Sequence, residues 1–216
     1  MAQNNLRQSL VYLLLSGIFL IAFLVRVINL ANFPVGFHND EVSIGYSAYS
    51  LLQTGKDRSG EMLPLSIDQF GDFRPAGYFY LAAVSEKVFG VNEFAVRFPA
   101  ALFGSLLIFA GYQLALVLFK NKPIALLFAL NVALNPWLII VSRSSSESIV
   151  SLFLGTLGII FWLNGLENKK IKQIVLACIM FTGSFLFYHS ARLFVPLFLV
   201  SLLALTFFQT TIKNKK

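Results

Sequence analysis

Asp40 and Glu41 stand side by side in the stretch Ala31 to Gly60, between two strongly apolar regions. Two carboxylates at one spot suit a divalent cation, magnesium or manganese, or a division of labour in which one orients a hydroxyl and the other takes its proton. The same residues also read as a helix start, with Asn39 or Asp40 as the N-cap and Glu41 as a first-turn anion complementing the helix dipole. From Glu41 to Thr54, Ser43, Ser47, Ser50 and Thr54 fall on one narrow helical stripe, and Ile44, Tyr46, Ala48, Tyr49, Leu51 and Leu52 cover most of the rest. His38, Tyr46 and Tyr49 surround the acids, although one histidine is weak evidence for a metal and such a residue is more often a plain loop residue.

Other groups with chemical capacity lie further along. Arg143 and Glu147 flank three serines, and Tyr188-His189-Ser190-Ala191-Arg192 joins a cation to several hydrogen-bond donors. Arginine suits phosphate oxygens, so Arg143 and Arg192 are candidates for an anionic head group, with Tyr46, Glu147, Tyr188 and His189 in support. Pairing of Arg143 with Glu147 at an interface is the alternative. Asp57, Asp68 and Asp72 with Arg58 and Arg74 read as solvated loop charges. Arg97, just before an apolar run, reads as an interfacial anchor or as a residue packing the loop onto the membrane.

The elements that must position these residues are membrane spans. Of the 216 residues 57% are hydrophobic and 12% charged, with mean hydropathy +0.74. That charge is roughly half the soluble norm. Apolar runs at 10–30, 98–119, 123–141, 149–166, 174–188 and 193–209 give six expected spans in a single domain, 1–216, with an outer loop at 31–97. The first run covers the hydrocarbon thickness of about 30 Å at about 1.5 Å per residue, and it lacks a small-residue cleavage pattern, so it reads as an uncleaved anchor. The loop holds eight of the ten acidic residues, turn chemistry in QTGKDRSGEMLPL and a second short amphipathic, interfacial helix in GYFYLAAVSEKVFG.

Charge placement orients the bundle. Lys120 and Lys122, then Lys169, Lys170 and Lys172, then Lys213, Lys215 and Lys216 fall on one side, which the positive-inside rule makes cytoplasmic, together with both termini. The net charge of +7 is therefore topological, and no nucleic-acid partner is implied. The lone cysteine, Cys178, forms no internal disulfide. The expected fold is an all-α polytopic bundle in the plasma, or cell inner, membrane, with its acid-bearing face extracytoplasmic.

PVGFHNDEVSIGYSAYSLLQTGKDRSGEMLPL, then RPAGYFYL, VFGVNEFAVRFPAALFG and NPWLIIVSRSSSE follow one another in an order that resembles the N-terminal half of GT-C integral-membrane glycosyltransferases. The nearest types are the protein O-mannosyltransferases and aminoarabinose transferase-like enzymes of glycosyltransferase family 39. The resemblance spans Leu10 to about Pro196 and implies that family members continue beyond a chain of this length, which would make this one a fragment. It further implies transfer of a sugar, with inversion, from a polyprenyl-phosphate donor to a lipid, polysaccharide or protein acceptor. Asp40 matches the acidic position that activates the acceptor or holds a divalent cation, and Glu41 matches its neighbour. Arg143 and Glu147 match the second outer loop, and Arg192 matches a basic position after the fifth span. Two other readings stand beside this one. A transporter or flippase subunit would place ionisable groups near the middle of spans, and a non-catalytic membrane scaffold would leave the ordered motifs unexplained.

Overall fold

The computed structural model describes the backbone of residues 2–69 and 71–213 and the side chains of 8–69, 71–201, 203 and 204, so the lysines of the C-terminal tail lie outside the described side chains. In chain order the elements are α1 (Ala2–Val27), α2 (Asn39–Thr54), β1 (Ser66–Gln69), β2 (Asp72–Pro75), α3 (Gly77–Phe89), α4 (Glu93–Phe119), α5 (Lys122–Leu134), α6 (Pro136–Arg143), α7 (Glu147–Asn168), α8 (Ile171–Phe185) and α9 (Ala191–Lys213). The chain is an all-α membrane helix bundle with one small hairpin in its longest connection.

The span pattern departs from six equal crossings. Among the described residues, three helices are long and apolar enough to cross a membrane: residues 8–27, Glu93–Phe119 and Glu147–Asn168. The run expected at 123–141 is broken into α5 and α6, bent by 52° and together able to make a fourth crossing. Its cause is local. Asn135 ends α5, its side chain accepts from the Leu138 N–H at 3.1 Å, and Pro136 opens α6 without an N–H to continue the ladder. The freed carbonyls of Val132 and Ala133 accept instead from Arg26, each at 3.3 Å. Arg26, fully buried on α1, also donates to Ser142 on α6 at 3.3 Å, so one guanidinium braces the break. At 15 residues α8 is about 22 Å long, short of the hydrocarbon thickness of about 30 Å.

Helix boundaries follow from caps. The Asn92 side chain accepts from Ala95 N–H at the start of α4, and Asn121 does the same for Ile124 N–H at α5, with Pro123 in the first turn. The cap of α2 is His38, not Asn39 or Asp40: its imidazole accepts from the Asp40 N–H while the Glu41 carboxylate reaches back to the His38 N–H, a reciprocal capping box. The expected interfacial helix at 77–90 is present as α3. Gly77 lets it start directly against the end of α8, where its N–H donates to the Leu186 carbonyl at 2.8 Å. Packing of α7 on α8, and of α4 on α5 and α7, builds the core, while α2, α3 and the hairpin close one end of it.

Candidate functional site

The closed end of the bundle collects the C-terminal ends of α1, α6 and α8 with the N-terminal ends of α4, α7 and α9. The connection 28–92 lies across it, and within that connection the hairpin sets the geometry. In the β1–β2 register Ile67 pairs with Arg74 and Gln69 with Asp72. Directly opposed residues of an antiparallel pair share a face, and alternation returns every second residue to it. Ile67 and Gln69 are buried, Phe73 points outward, and Arg74 is turned inward towards α2 and α7.

Arg74 is the centre of the cluster. One terminal nitrogen lies 3.2 Å from Asp40 Oδ2, its Nε lies 3.2 Å from Asp72 Oδ2, and the other terminal nitrogen is 3.9 Å from Glu147 Oε1. Although burial opposes the charge, the Glu147, Asp40 and Asp72 carboxylates raise the Arg74 pKa above its ordinary value. Gln69 fixes the start of α2 from the same strand by donating to the Asp40 carbonyl at 2.9 Å. Glu147 is the buried member, its side chain 7% exposed and its Oε1 without a hydrogen bond, whereas the Asp40 side chain is 40% exposed. The site thus offers an accessible carboxylate, oriented by a cation, in front of a buried acid.

Glu41 has a different position. Successive helical residues are rotated by about 100°, so Glu41 faces inward where Asp40 faces out. Its oxygens accept from Arg97 Nε at 2.9 Å and Nη2 at 2.7 Å, and from the Ser145 N–H at 3.1 Å. Arg97, 1% exposed in its side chain, gives its remaining donors to the carbonyls of Leu30, Ala31, Pro34 and Gly36. Burial would raise the Glu41 pKa, but hydrogen bonds from Arg97, His38 and Ser145 and the Arg97 charge hold it below the ordinary carboxylate range. This ion pair locks α2, α4, the α1–α2 loop and the α6–α7 turn together. Glu41 is committed to that scaffold, so the two neighbouring acids do not converge on a common cation. Among the described residues no group of three or more His, Cys, Asp or Glu side chains is disposed to hold a metal.

The remaining sequence candidates divide. Arg143 is spent on backbone, donating to the carbonyls of Val25, Ile28, Asn29 and Phe33, so it caps the end of α1 instead of facing a phosphate. Tyr46 projects from α2 away from the Arg74 cluster and is largely exposed. Tyr188, His189 and Arg192 sit at the start of α9: Arg192 is exposed, the His189 Nε2 is buried without a partner, and Tyr188 borders a cleft. That cleft, of about 650 Å3, begins at Ser148, Tyr188 and Ser190 and runs between α4, α5, α7 and α9. From Ser148 to Ile159 it follows α7 for about 16 Å, and its walls are almost wholly apolar.

Arg74 and Asp72 are the residues that sequence reasoning misplaced as solvated loop charges. The available signal was the two-residue period of Ile67, Gln69, Asp72 and Arg74 around Gly71, which puts all four on one face of a hairpin.

No curated protein matches the chain. Residues 74–216, about two-thirds of it, match the family described as dolichyl-phosphate-mannose-protein mannosyltransferase. The matched range opens at Arg74 itself, and Asp40 lies before it but in contact with that residue. A bundle of apolar helices long enough to cross a membrane agrees with that match, and the chain belongs to this family of membrane glycosyltransferases.

Proposed function

We propose that the chain transfers a sugar from a polyprenyl-phosphate carrier to an acceptor hydroxyl at the extracytoplasmic face, with inversion at the anomeric carbon. The observation that carries this reading is Asp40, an exposed carboxylate held by Arg74 at the same end of the bundle where the long apolar cleft begins. A lipid tail suits a dry, elongated cleft, and a carboxylate at its mouth suits proton removal from a poor nucleophile.

In the reaction the acceptor oxygen attacks the anomeric carbon as Asp40 takes its proton. The bond from that carbon to the phosphate oxygen breaks, and the electron pair leaves with the lipid phosphate. Arg192, exposed at the N-terminus of α9 beside the cleft, is the residue available to meet the growing phosphate charge. Arg74 holds Asp40 aimed from the hairpin. Glu147 behind it supplies a second carboxylate that balances Arg74, so the guanidinium is not free to neutralise Asp40 alone. The lysines at the opposite end support an orientation with both termini cytoplasmic and the Asp40 face outside.

The test is transfer from polyprenyl-phosphate mannose in membranes holding the whole protein. Asp40→Asn is expected to lower turnover by about 10²- to 10⁴-fold, the ordinary worth of a general base, with insertion unchanged. Arg192→Gln is expected to lower kcat for transfer more than it raises KM for the donor. Full turnover in Asp40→Asn would overturn the assignment.

A further inference from the structure

A second cleft, of about 380 Å3, opens between α2, the end of α3 and the start of α4. Val42, Gly45, Tyr46 and Tyr49 line it from one face of α2, at the i, i+3, i+4, i+7 spacing, and Val91 closes the other side. Tyr46, 62% exposed, and Tyr49 present their rings at the mouth. On the inner wall lies Glu86, 2% exposed, with no hydrogen-bond partner on either carboxylate oxygen. Its Oε1 faces α2 at Gly45, where an added Cβ would come within 3.5 Å of it.

The neighbours leave this acid unsatisfied. Glu93, a second acid, lines the same cleft, and among the described residues no lysine, arginine or histidine does. Arg97, one turn beyond Glu93, is committed to Glu41 and the loop carbonyls. The Asn92 amide caps α4 and donates to the Phe89 carbonyl. Burial alone pushes the Glu86 carboxyl up to about 7. An unpartnered buried acid costs stability, which a cation entering the cleft would return.

We propose that this cleft receives a primary ammonium group carried on a lipid headgroup, bound to Glu86 between the rings of Tyr46 and Tyr49. An ammonium supplies three donors to a carboxylate that lacks any, and the tyrosine faces favour a cation. Two acids without a lining cation disfavour phosphate or sulfate in the same space. The membrane is the source of the ligand because the cleft opens beside the entry of the α4 span. Exposed Val42 and Val91 form its rim, and Phe89, Phe94 and Phe98 pack together next to it with ring centroids 4.9 to 5.5 Å apart. The three phenylalanines put apolar surface beside the mouth, and Tyr46 and Tyr49 are the amphipathic type that sits where hydrocarbon meets water.

The site is separate from Asp40, and its test does not depend on transfer. Purified full-length protein in detergent is offered equimolar phosphatidylethanolamine and phosphatidylglycerol with identical acyl chains, and retained lipid is read by native mass spectrometry. Phosphatidylethanolamine is expected to exceed phosphatidylglycerol by about tenfold, the equivalent of one charge-assisted hydrogen bond. Glu86→Gln, of the same shape, is expected to abolish the excess, and Tyr49→Leu, which keeps an apolar wall, to reduce it about threefold. Asp40→Asn is expected to leave the preference intact, which separates this site from the transferase reading. Equal retention of the two lipids by the unaltered protein, or an undiminished excess in Glu86→Gln or Tyr49→Leu, would overturn the proposal. Displacement of the lipid by equimolar butylamine would assign the cleft to a soluble amine and overturn the lipid source.

Discussion

At one end of the bundle Lys120, Lys122, Lys169, Lys170 and Lys172 stand around the α4–α5 and α7–α8 turns, and the one acid among them, Glu167, pairs with Lys120 at 2.6 Å in a contact more than half exposed on both sides. At the other end, beside Lys56 and Lys87, four arginines are used differently. Arg26 and Arg143 spend several donors on carbonyls at a broken or finished helix, Arg97 spends its own on Glu41 and carbonyls of the α1–α2 loop, and Arg74 joins three carboxylates. A planar guanidinium with five donors can satisfy several acceptors at fixed angles, where an ammonium is a hydrated point charge. The lysine end therefore carries hydrated, mostly unpaired charge, and the arginine end builds structure.

The largest loss is expected at Arg97. Arg97→Lys keeps the charge but lacks the fork that holds Glu41 and the loop carbonyls together, and a loss of about 3–5 kcal/mol is expected, as for a broken buried pair. A thermal unfolding midpoint unchanged from wild type would show that charge suffices. Acid should act on the same lock. The Glu41 pKa is depressed in the folded chain, so its stabilisation is present above the unfolded carboxylate pKa and fades as pH falls through the folded one. Proteolysis of the 28–38 loop is expected to accelerate in that acid window in the wild type and to become independent of pH in Glu41→Gln.

Arg26→Met sharpens the comparison within the span. It preserves apolar length but leaves the Val132 and Ala133 carbonyls unpaired, at about 1–3 kcal/mol. Cross-linking between α1 and α6 should fall together with the melting midpoint. The smallest effect belongs to the other end: Lys120→Ala removes an exposed ion pair and should cost about 0.5 kcal/mol or less, a shift near the limit of a melting measurement.

Much of this arrangement was legible in the chain, and the illegible part has a common cause. The apolar runs located every helix of the bundle, and GYFYLAAVSEKVFG gave α3. The break in the third run was written in Asn135-Pro136, a cap followed by a residue without an N–H, yet apolar residues on both sides made it read as continuous. His38 displaced Asn39 and Asp40 as cap because the box depends on where Glu41 turns, and Arg97, far along the chain, decides that. Arg143 looked like a phosphate ligand because a sequence does not show that the end of α1 lies beside it.

Sequence alone determined that these residues form apolar helices and where lysines cluster between them, because those properties depend on neighbours within a few positions. It also put two carboxylates at the start of α2. Only the tertiary structure decided that Glu41 is a buried brace and Asp40 the accessible group. The two differ by one step around a helix, and their partners, Arg97 and Arg74, come from elements 56 and 34 residues away. Burial and pairing set what a carboxylate can do, and both are fixed by contacts that no local pattern specifies.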